Sequence, residues 1–167
     1  MKWHELGEMN CPVARSLSIF GDRWTLLIIR NSFMRTRRFD DFQKQLGITR
    51  HLLSERLTRL VDHNIFEKVL YQQAPKRYEY RLTERGLALY PIILALTTWG
   101  NRWLNDGEYP TVEYVHKSCG HKTQATMACS ECGETLRAQD MLPTIDLTVQ
   151  PPDCGQALNE EEKRQTG

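Results

Sequence analysis

An α+β fold is predicted by three observations that follow one another along the chain. Apolar residues recur with helical spacing on several segments before residue 62, and a glycine joins two of these segments. Two runs of strand-forming residues, separated by a proline-containing turn, come next and indicate a β-hairpin. Beyond residue 107, short turns containing Cys and His replace the hydrophobic pattern. We therefore expect a mostly helical core that carries one hairpin, followed by a small module that metal could hold together.

Length and composition are those of a small globular protein. The 167 residues can form one good core and a small second module, and an apolar content of 40% is typical of soluble chains. No apolar run is long enough to span a bilayer, and Met1–Glu8 lacks the apolar stretch of a secretory signal. We therefore expect a cytoplasmic protein without a membrane partner. Because thiols are mostly reduced there, the five cysteines should be ligands or reactive thiols.

Charge is divided unevenly along the chain. Residues 1–104 contain 17 Lys and Arg against 10 Asp and Glu, whereas residues 105–167 contain 5 against 11. A basic first part suits a nucleic-acid partner, because Lys and Arg neutralise phosphates in a salt-dependent and sequence-independent way. The basic residues that cluster in and before the glycine-joined helices are Arg30, Arg35, Arg37, Arg38, Lys44 and Arg50.

Two helices are expected before the glycine-joined pair. The first begins at Pro12 with Cys11 as its N-cap and ends at Gly21, and Asp22 caps the second. The Cys11 thiol would lie at the positive end of a helix dipole, one turn from Arg15, and both would favour the thiolate. Cys11 is therefore a candidate redox sensor. The alternative is a buried structural thiol.

The glycine-joined pair begins at Arg38 and is predicted to form a helix, a tight turn and a second helix. Gly47 supplies the turn, and Thr49 is well placed to cap the second helix. The apolar residues of the second helix recur at i, i+4 and i+7 and should face the core: Leu53, Leu57 and Leu60.

Polar residues occupy the other face of that second helix, and such a face suits the major groove of DNA. Arginine can pair with guanine edges, and short polar side chains can reach bases or phosphates. The candidate DNA contacts on this helix and at its start are Thr49, Arg50, His51, Ser54, Arg56, Thr58 and Arg59. An ordinary helical hairpin with a solvated face is the alternative.

The β-hairpin is predicted from residues 65–71 and 77–82, with Pro75 in the turn. A hairpin directly after a helix-turn-helix is the winged arrangement, which strengthens the DNA-binding hypothesis. Lys76 and Arg77 at its tip are candidate contacts to phosphates or to the minor groove, and Arg37 and Arg38 are candidates ahead of the first helix.

A further helix should start at Glu84 with Thr83 as its cap, and Pro91 should kink or break it. The helix is apolar around much of its circumference, so it needs cover on several sides, and a second copy of the chain would supply it. A homodimer would also place two reading helices on the half-sites of a pseudo-palindromic operator. The predicted dimer contacts are Ile92, Leu96, Trp99 and Trp103. Burial within one monomer is the alternative.

Several motifs resemble, in order, the HxlR-type winged-helix transcriptional regulators over residues 11–104. The matching stretches are Cys11–Arg15, Gly21–Arg30, Arg38–Phe42, Leu53–Leu57, Tyr78–Thr83, Gly86 and Trp99-Gly100. The resemblance implies a homodimer joined through terminal helices, binding to double-stranded operator DNA, and no catalysis. Some members use a cysteine aligned with Cys11 to sense oxidants or electrophiles. We therefore expect a repressor that responds to a small-molecule effector or to a thiol-reactive signal.

Two short turns that end in Cys-Gly form the signature of the C-terminal module. The segments HKSCG from residue 116 and CSECG from residue 129 each leave two residues between candidate ligands. Two such turns are typical of a zinc ribbon, and its predicted zinc ligands are His116, Cys119, Cys129 and Cys132. His121 competes with His116 as the fourth ligand. The alternatives are a ribbon without metal and a redox pair formed by Cys129 and Cys132.

The sequence thus predicts a winged helix-turn-helix DNA-binding and dimerisation domain over residues 1–106, a zinc-ribbon-like module over 107–138, and an irregular tail over 139–167. A DNA-binding regulator without enzymatic activity is the leading hypothesis. The alternatives are a protein-interaction adaptor on a winged-helix scaffold and a CxxC thiol oxidoreductase, although the chain lacks the βαβ context of that enzyme class.

Overall fold

The computed structural model of this protein describes residues 3–107 and 111–144. Its helices are α1 (Trp3–Glu8), α2 (Pro12–Phe20), α3 (Arg23–Phe33), α4 (Phe39–Leu46), α5 (Arg50–Asp62), α6 (Glu84–Leu87) and α7 (Tyr90–Trp103). Its strands are β1 (Phe66–Gln72), β2 (Arg77–Leu82), β3 (Tyr114–Val115) and β4 (Lys122–Thr123), and a short 3₁₀ turn covers Ala138–Asp140. The α+β class is confirmed, and α1 was not predicted. Most of the predicted tail, including Cys154, lies outside the described residues.

The chain divides into two compact units on either side of the bond between Leu82 and Thr83. The first unit contains α1 to α5 with β1 and β2, and the second contains α6, α7, β3 and β4. The sequence prediction instead grouped α6 and α7 with the winged helix-turn-helix. Among the residues described, no helix combines the length and the apolar character needed to cross a membrane.

The core of the first unit is built by helices α3, α4 and α5 together with strand β1. Its largest fully buried apolar side chains are Ile28, Ile29, Phe42, Leu53, Leu57, Leu60, Ile65 and Phe66. The rings of Phe42 and Phe66 lie 6.4 Å apart between their centroids, so α4 and β1 meet through an aromatic contact. This core fixes the position of α5 relative to the hairpin.

The turn between α4 and α5 forms as predicted. Gly47 has a φ of 64°, a conformation that costs little only for glycine, and its N–H donates to the carbonyl of Gln43. The Thr49 hydroxyl accepts a hydrogen bond from the N–H of Leu52, which confirms Thr49 as the cap of α5. The predicted apolar face of α5 is confirmed as well, because Leu53, Leu57 and Leu60 are fully buried.

The predicted hairpin is confirmed, and the chain ahead of α4 also hydrogen-bonds to its second strand. β1 and β2 pair antiparallel, with Phe66 opposite Leu82 and a bulge before Gln72. On the other side of β2, the N–H of Tyr80 donates to the carbonyl of Arg37 at 2.8 Å. The chain just ahead of α4 is therefore tied directly to the wing.

The second unit starts with two helices where one interrupted helix was expected. Thr83 caps α6 by accepting from the N–H of Gly86, and α7 begins at Tyr90 with Pro91 in its first turn. Proline fits there because no helical partner exists for its missing N–H, so the predicted break is confirmed. After α7, the β3–β4 hairpin is held to that helix by the Asn101 side chain, which donates to the carbonyl of Val112 and accepts from its N–H.

Candidate nucleic-acid interface

The outer face of α5 carries three of the predicted DNA contacts side by side. His51, Ser54 and Thr58 are exposed and follow one another at i, i+3 and i+7, which places them on one face of the helix. They line a shallow open groove of about 450 Å³ together with Glu55 and Asp62. The face is thus polar and accessible, as a helix that enters the major groove requires.

Arg50 lies at the start of α5 and is held by residues of α4. Its guanidinium lies 4.8 Å from the centre of the Phe39 ring and 3.1 Å from both Asp40 and Gln43 side-chain oxygens. The Arg50 and Asp40 side chains are 68% and 75% exposed, so this ion pair contributes at most about 1 kcal/mol. The arrangement orients Arg50, and a guanine or a phosphate can replace Asp40 at little cost.

Four other predicted cationic contacts lie on the wing and on the chain joined to it. Lys76 and Arg77 are exposed at the hairpin turn, and Arg37 is exposed ahead of α4. Arg38 lies 4.8 Å from the centre of the Tyr71 ring and 3.5 Å from the Glu79 carboxylate. Arg38 is therefore partly committed to the wing itself, whereas the other three project into solvent.

Two of the predicted contacts also bond to other segments of the protein. The Arg56 guanidinium lies 3.2 Å from the Asp22 carboxylate, and both side chains are about 15% exposed. Arg59 donates to the backbone carbonyl of Ser18. Arg56 and Arg59 thus fasten α5 to the segments of α2 and α3, and Arg59 also lines the groove on the outer face of α5; their DNA contacts stay predictions. No local sequence signal marks these partners, which are separated by 34 and 41 positions.

The Asp22 carboxylate has two structural roles. It caps α3 by accepting from the N–H groups of Trp24 and Thr25, and it pairs with Arg56 of α5. Burial alone would raise the pKa of Asp22, but the Thr25 hydrogen bonds and the charge of Arg56 outweigh burial and hold that pKa below its usual value of 3.8. The ionised form of Asp22 therefore stabilises the fold.

Replacing Asp22 with Asn should remove the charge while keeping the cap, since Asn is also a good N-cap. We expect the free energy of unfolding at pH 7 to fall by roughly 1–3 kcal/mol. A pKa that is lower in the folded state gives stabilisation that is complete above about pH 4 and is lost as the pH falls through the folded value. The difference between wild type and Asp22→Asn, measured by urea denaturation, should therefore shrink below pH 4. The exposed pair offers a control, Asp40→Asn, which should cost less than about 1 kcal/mol.

Cys11 occupies the predicted position at the start of α2, and its side chain is only 6% exposed. Its carbonyl accepts from the N–H of Arg15, and its side chain makes no cap hydrogen bond. Sensing cysteines are usually reached by solvent. An oxidant would therefore need local opening of the chain around α2 to reach this thiol.

All four predicted dimer contacts on α7 are exposed to solvent in the single chain. Ile92 is 39% exposed, Leu96 50%, Trp99 56% and Trp103 63%, whereas Ile93 is buried. These four positions follow one another at i, i+4, i+7 and i+11, so they form one continuous stripe, the α7 stripe. A stripe with two large aromatic residues is typical of an interface between proteins.

The predicted zinc ligands lie on two short turns of the second unit. His116 Nδ1 is 3.4 Å from Cys119 Sγ, whereas His121 contributes its backbone carbonyl to the N–H of His116. The backbone N–H groups of Cys132 and Glu131, together with the Cys132 side chain, hold the pKa of the Cys129 thiol below its ordinary value. In the described part of the chain, no three His, Cys, Asp or Glu side chains gather where they could hold a metal ion.

Comparison with known protein families points to one group of regulators. The HxlR-like helix-turn-helix family profile matches residues 19–108. An uncharacterized HTH-type transcriptional regulator of Mycobacterium tuberculosis is 41% identical over 131 residues, which cover 78% of this chain and 83% of that protein. An uncharacterized HTH-type transcriptional regulator of Bacillus subtilis is 33% identical over 56% of this chain and 74% of its own length.

Solved structures give the same result. A crystal structure of PA1607, described as a candidate transcription factor, has a TM-score of 0.76 and 33% identity, and the match covers 85% of this chain and 99% of that one. The redox regulator HypR in its reduced form has a TM-score of 0.53 and 31% identity over 58% of this chain and 95% of its own.

Proposed function

The chain belongs to the HxlR-like helix-turn-helix family of transcriptional regulators, and from this membership we propose that it is a repressor that binds a pseudo-palindromic operator as a homodimer. It is a DNA-binding regulator. The single observation that carries the proposed mode of binding is the outer face of α5, which is polar and exposed while its inner face is fully buried. A helix held in this way can enter the major groove without losing core contacts.

Specificity and affinity come from different parts of this surface. Arg50, His51, Ser54 and Thr58 are exposed on α5 and would contact base edges. Exposed cations on other elements bind phosphates and supply affinity that depends on salt. They are Arg37, Arg38, Lys76 and Arg77.

Dimerisation rests on the α7 stripe. Four large apolar side chains exposed on one helix would otherwise face water, and a second copy of the chain covers them by symmetry. Two copies of α5 then address two half-sites of the operator, whose spacing follows from the dimer geometry.

An effector would act by changing the distance between the two α5 helices. For a thiol-reactive signal the candidate is Cys11, because it lies at the start of α2 and because the redox regulator HypR shares this fold. Because Cys11 is buried, modifying its thiol would shift the residues around it, since a larger buried group displaces its neighbours. A small-molecule effector remains the alternative within this proposal.

Binding to the DNA upstream of its own gene tests the proposal, with variants that separate specificity from affinity. We expect Arg50→Ala to weaken operator binding by roughly 1–3 kcal/mol and to relax preference at particular base pairs. Arg37→Ala and Lys76→Ala should weaken specific and nonspecific binding alike and lower the salt slope by about one unit each. Fluorescence anisotropy over a series of salt concentrations and single-base operator changes measures both quantities.

An exposed arginine outside this surface supplies the control. Arg15→Ala on α2 removes the same charge and should leave both the affinity and the salt slope unchanged. Identical base preference and identical salt slopes in all variants would remove α5 and the wing from the interface. Absence of DNA binding at low salt would favour an adaptor that uses the winged helix as a scaffold.

A further inference from the structure

The two turns that carry the predicted zinc ligands have the same backbone structure. In the first, the N–H of His116 donates to the carbonyl of His121 at 2.9 Å, and the N–H of Gly120 donates back to the carbonyl of His116 at 2.8 Å. In the second, the N–H of Cys129 donates to the carbonyl of Glu134 at 2.8 Å, and the N–H of Gly133 donates back to the Cys129 carbonyl at 2.9 Å. The two turns therefore repeat each other residue by residue.

Each turn needs its glycine and closes a small hairpin. Gly120 and Gly133 have φ values of 72° and 75°, which side-chain-bearing residues adopt only with strain. Strands β3 and β4 pair on either side of the first turn, and Ala128 pairs with Thr135 on either side of the second. Two hairpins, each with a turn of this kind at its tip, are the parts from which a zinc ribbon is built.

The side chains of the first turn are spaced for a shared metal ion. His116 Nδ1 and Cys119 Sγ are 3.4 Å apart. A tetrahedral zinc ion with ordinary Zn–N and Zn–S bonds would separate these two atoms by about 3.6 Å. In the second turn, Cys129 and Cys132 occupy the positions that His116 and Cys119 occupy in the first, since the backbone hydrogen bonds of the two turns match.

Apolar burial does little to hold this region in its folded shape. Among residues 111–142, only Tyr114, Ala125 and Cys129 are even partly buried. Hairpins this short do not persist on backbone hydrogen bonds alone, and so small a segment cannot stabilise itself by burying apolar surface. A bound metal supplies stability of the size required.

We propose that the two hairpins close on one zinc ion, with His116, Cys119, Cys129 and Cys132 as its ligands. The first turn presents one ligand pair at a suitable spacing, the second turn repeats its backbone hydrogen bonds, and the ion would join the two pairs. Three thiolates and one imidazole favour zinc over magnesium or calcium. His116 is assigned in place of His121 because its ring nitrogen lies 3.4 Å from Cys119 Sγ.

The site would also order the chain that follows α7. β3 starts two residues before His116, and the Tyr114 hydroxyl lies 3.4 Å from the Thr97 hydroxyl of α7, while its ring packs edge-on against Tyr90. Closing the first hairpin therefore holds Tyr114 in place beside the helix that carries the α7 stripe. This inference does not depend on DNA binding and can be tested without it.

Metal content of the purified full-length protein tests the proposal. We expect one zinc per chain by mass spectrometry of the metal, and loss of that zinc in Cys119→Ser and Cys132→Ser, because a serine hydroxyl is a far poorer zinc ligand than a thiolate. Cys11→Ser and His121→Ala are the matched controls, and both should keep the metal. Zinc retained in Cys132→Ser, or lost in His121→Ala, would overturn the ligand assignment.

A second measurement on the unmodified chain keeps the test valid if the serine variants do not fold. Replacing zinc by cobalt(II) should give the absorption bands of a tetrahedral ion with three thiolates, and titration with an organomercurial should release one metal per chain as its thiols are modified. No bound zinc and no cobalt spectrum would overturn the site. A Cys129–Cys132 disulfide in protein kept under reducing conditions, or one metal per two chains, would overturn it as well.

Discussion

Replacing Trp103 with Asp should convert the protein to monomers and abolish tight operator binding. Trp103 is 63% exposed at the end of the α7 stripe, so the substitution leaves the interior of the single chain undisturbed. In a dimer, the new carboxylate would be buried without a partner and a large aromatic anchor would be lost. We expect the dimer to weaken by about 4 kcal/mol or more, which is roughly a thousandfold in the dissociation constant.

Sedimentation equilibrium gives the dimer constant, and anisotropy with operator DNA gives the effect on binding. Trp103→Phe is the matched control, because it keeps an aromatic apolar side chain at the same position and should preserve the dimer. Circular dichroism should show the same fold in both variants. A Trp103→Asp protein that dimerises as tightly as wild type would place the interface elsewhere on the chain.

Replacing Phe42 with Ala should cause the largest loss of stability among single substitutions in the first unit. Phe42 is completely buried and its ring meets that of Phe66, so its removal leaves a cavity between α4 and β1. Truncations of this kind cost about 3–5 kcal/mol. For a protein of this size, that loss lowers the melting temperature by roughly 10 °C.

Urea denaturation followed by circular dichroism measures this loss. Tyr71→Ala serves as a control, because it removes an aromatic ring that is 36% exposed on the wing and should cost far less. A Phe42→Ala variant within about 1 kcal/mol of wild type would show that α4 and the wing are not joined through this contact. Because Phe42 is buried and lies outside the proposed DNA-binding surface, DNA binding should weaken only when the variant begins to unfold.

Local rules were sufficient for most elements of the first unit. Glycine ends α4, threonine and aspartate cap helices, and proline starts α7. Each acts within about four residues along the chain, so the sequence shows it directly. The three buried leucines of α5 follow from helical periodicity in the same way. The α7 stripe was also expected, because an excess of apolar residues on one helix is visible without knowing what covers it.

The same local rules do not identify the partners of arginine side chains. Arg50 and Arg56 lie on one helix and carry the same charge, and the sequence assigned both to DNA. In the structure Arg50 is exposed, whereas Arg56 pairs with Asp22 and is largely buried. The difference depends on how α3 packs against α5, and a partner 34 residues away leaves no periodic signal in the sequence.

The sequence by itself determined the helix-turn-helix, the wing, the apolar stripe of α7 and the two turns that carry the predicted zinc ligands, because each depends on residues close together in the chain. Only the tertiary structure decided which arginines face solvent, and that Asp22 and Arg56 fasten α3 to α5. It also showed that the His116 ring lies beside Cys119. The physical reason is that side-chain partners are selected by packing between distant segments, whereas caps, turns and amphipathic faces are selected by hydrogen bonds and periodicity within one segment.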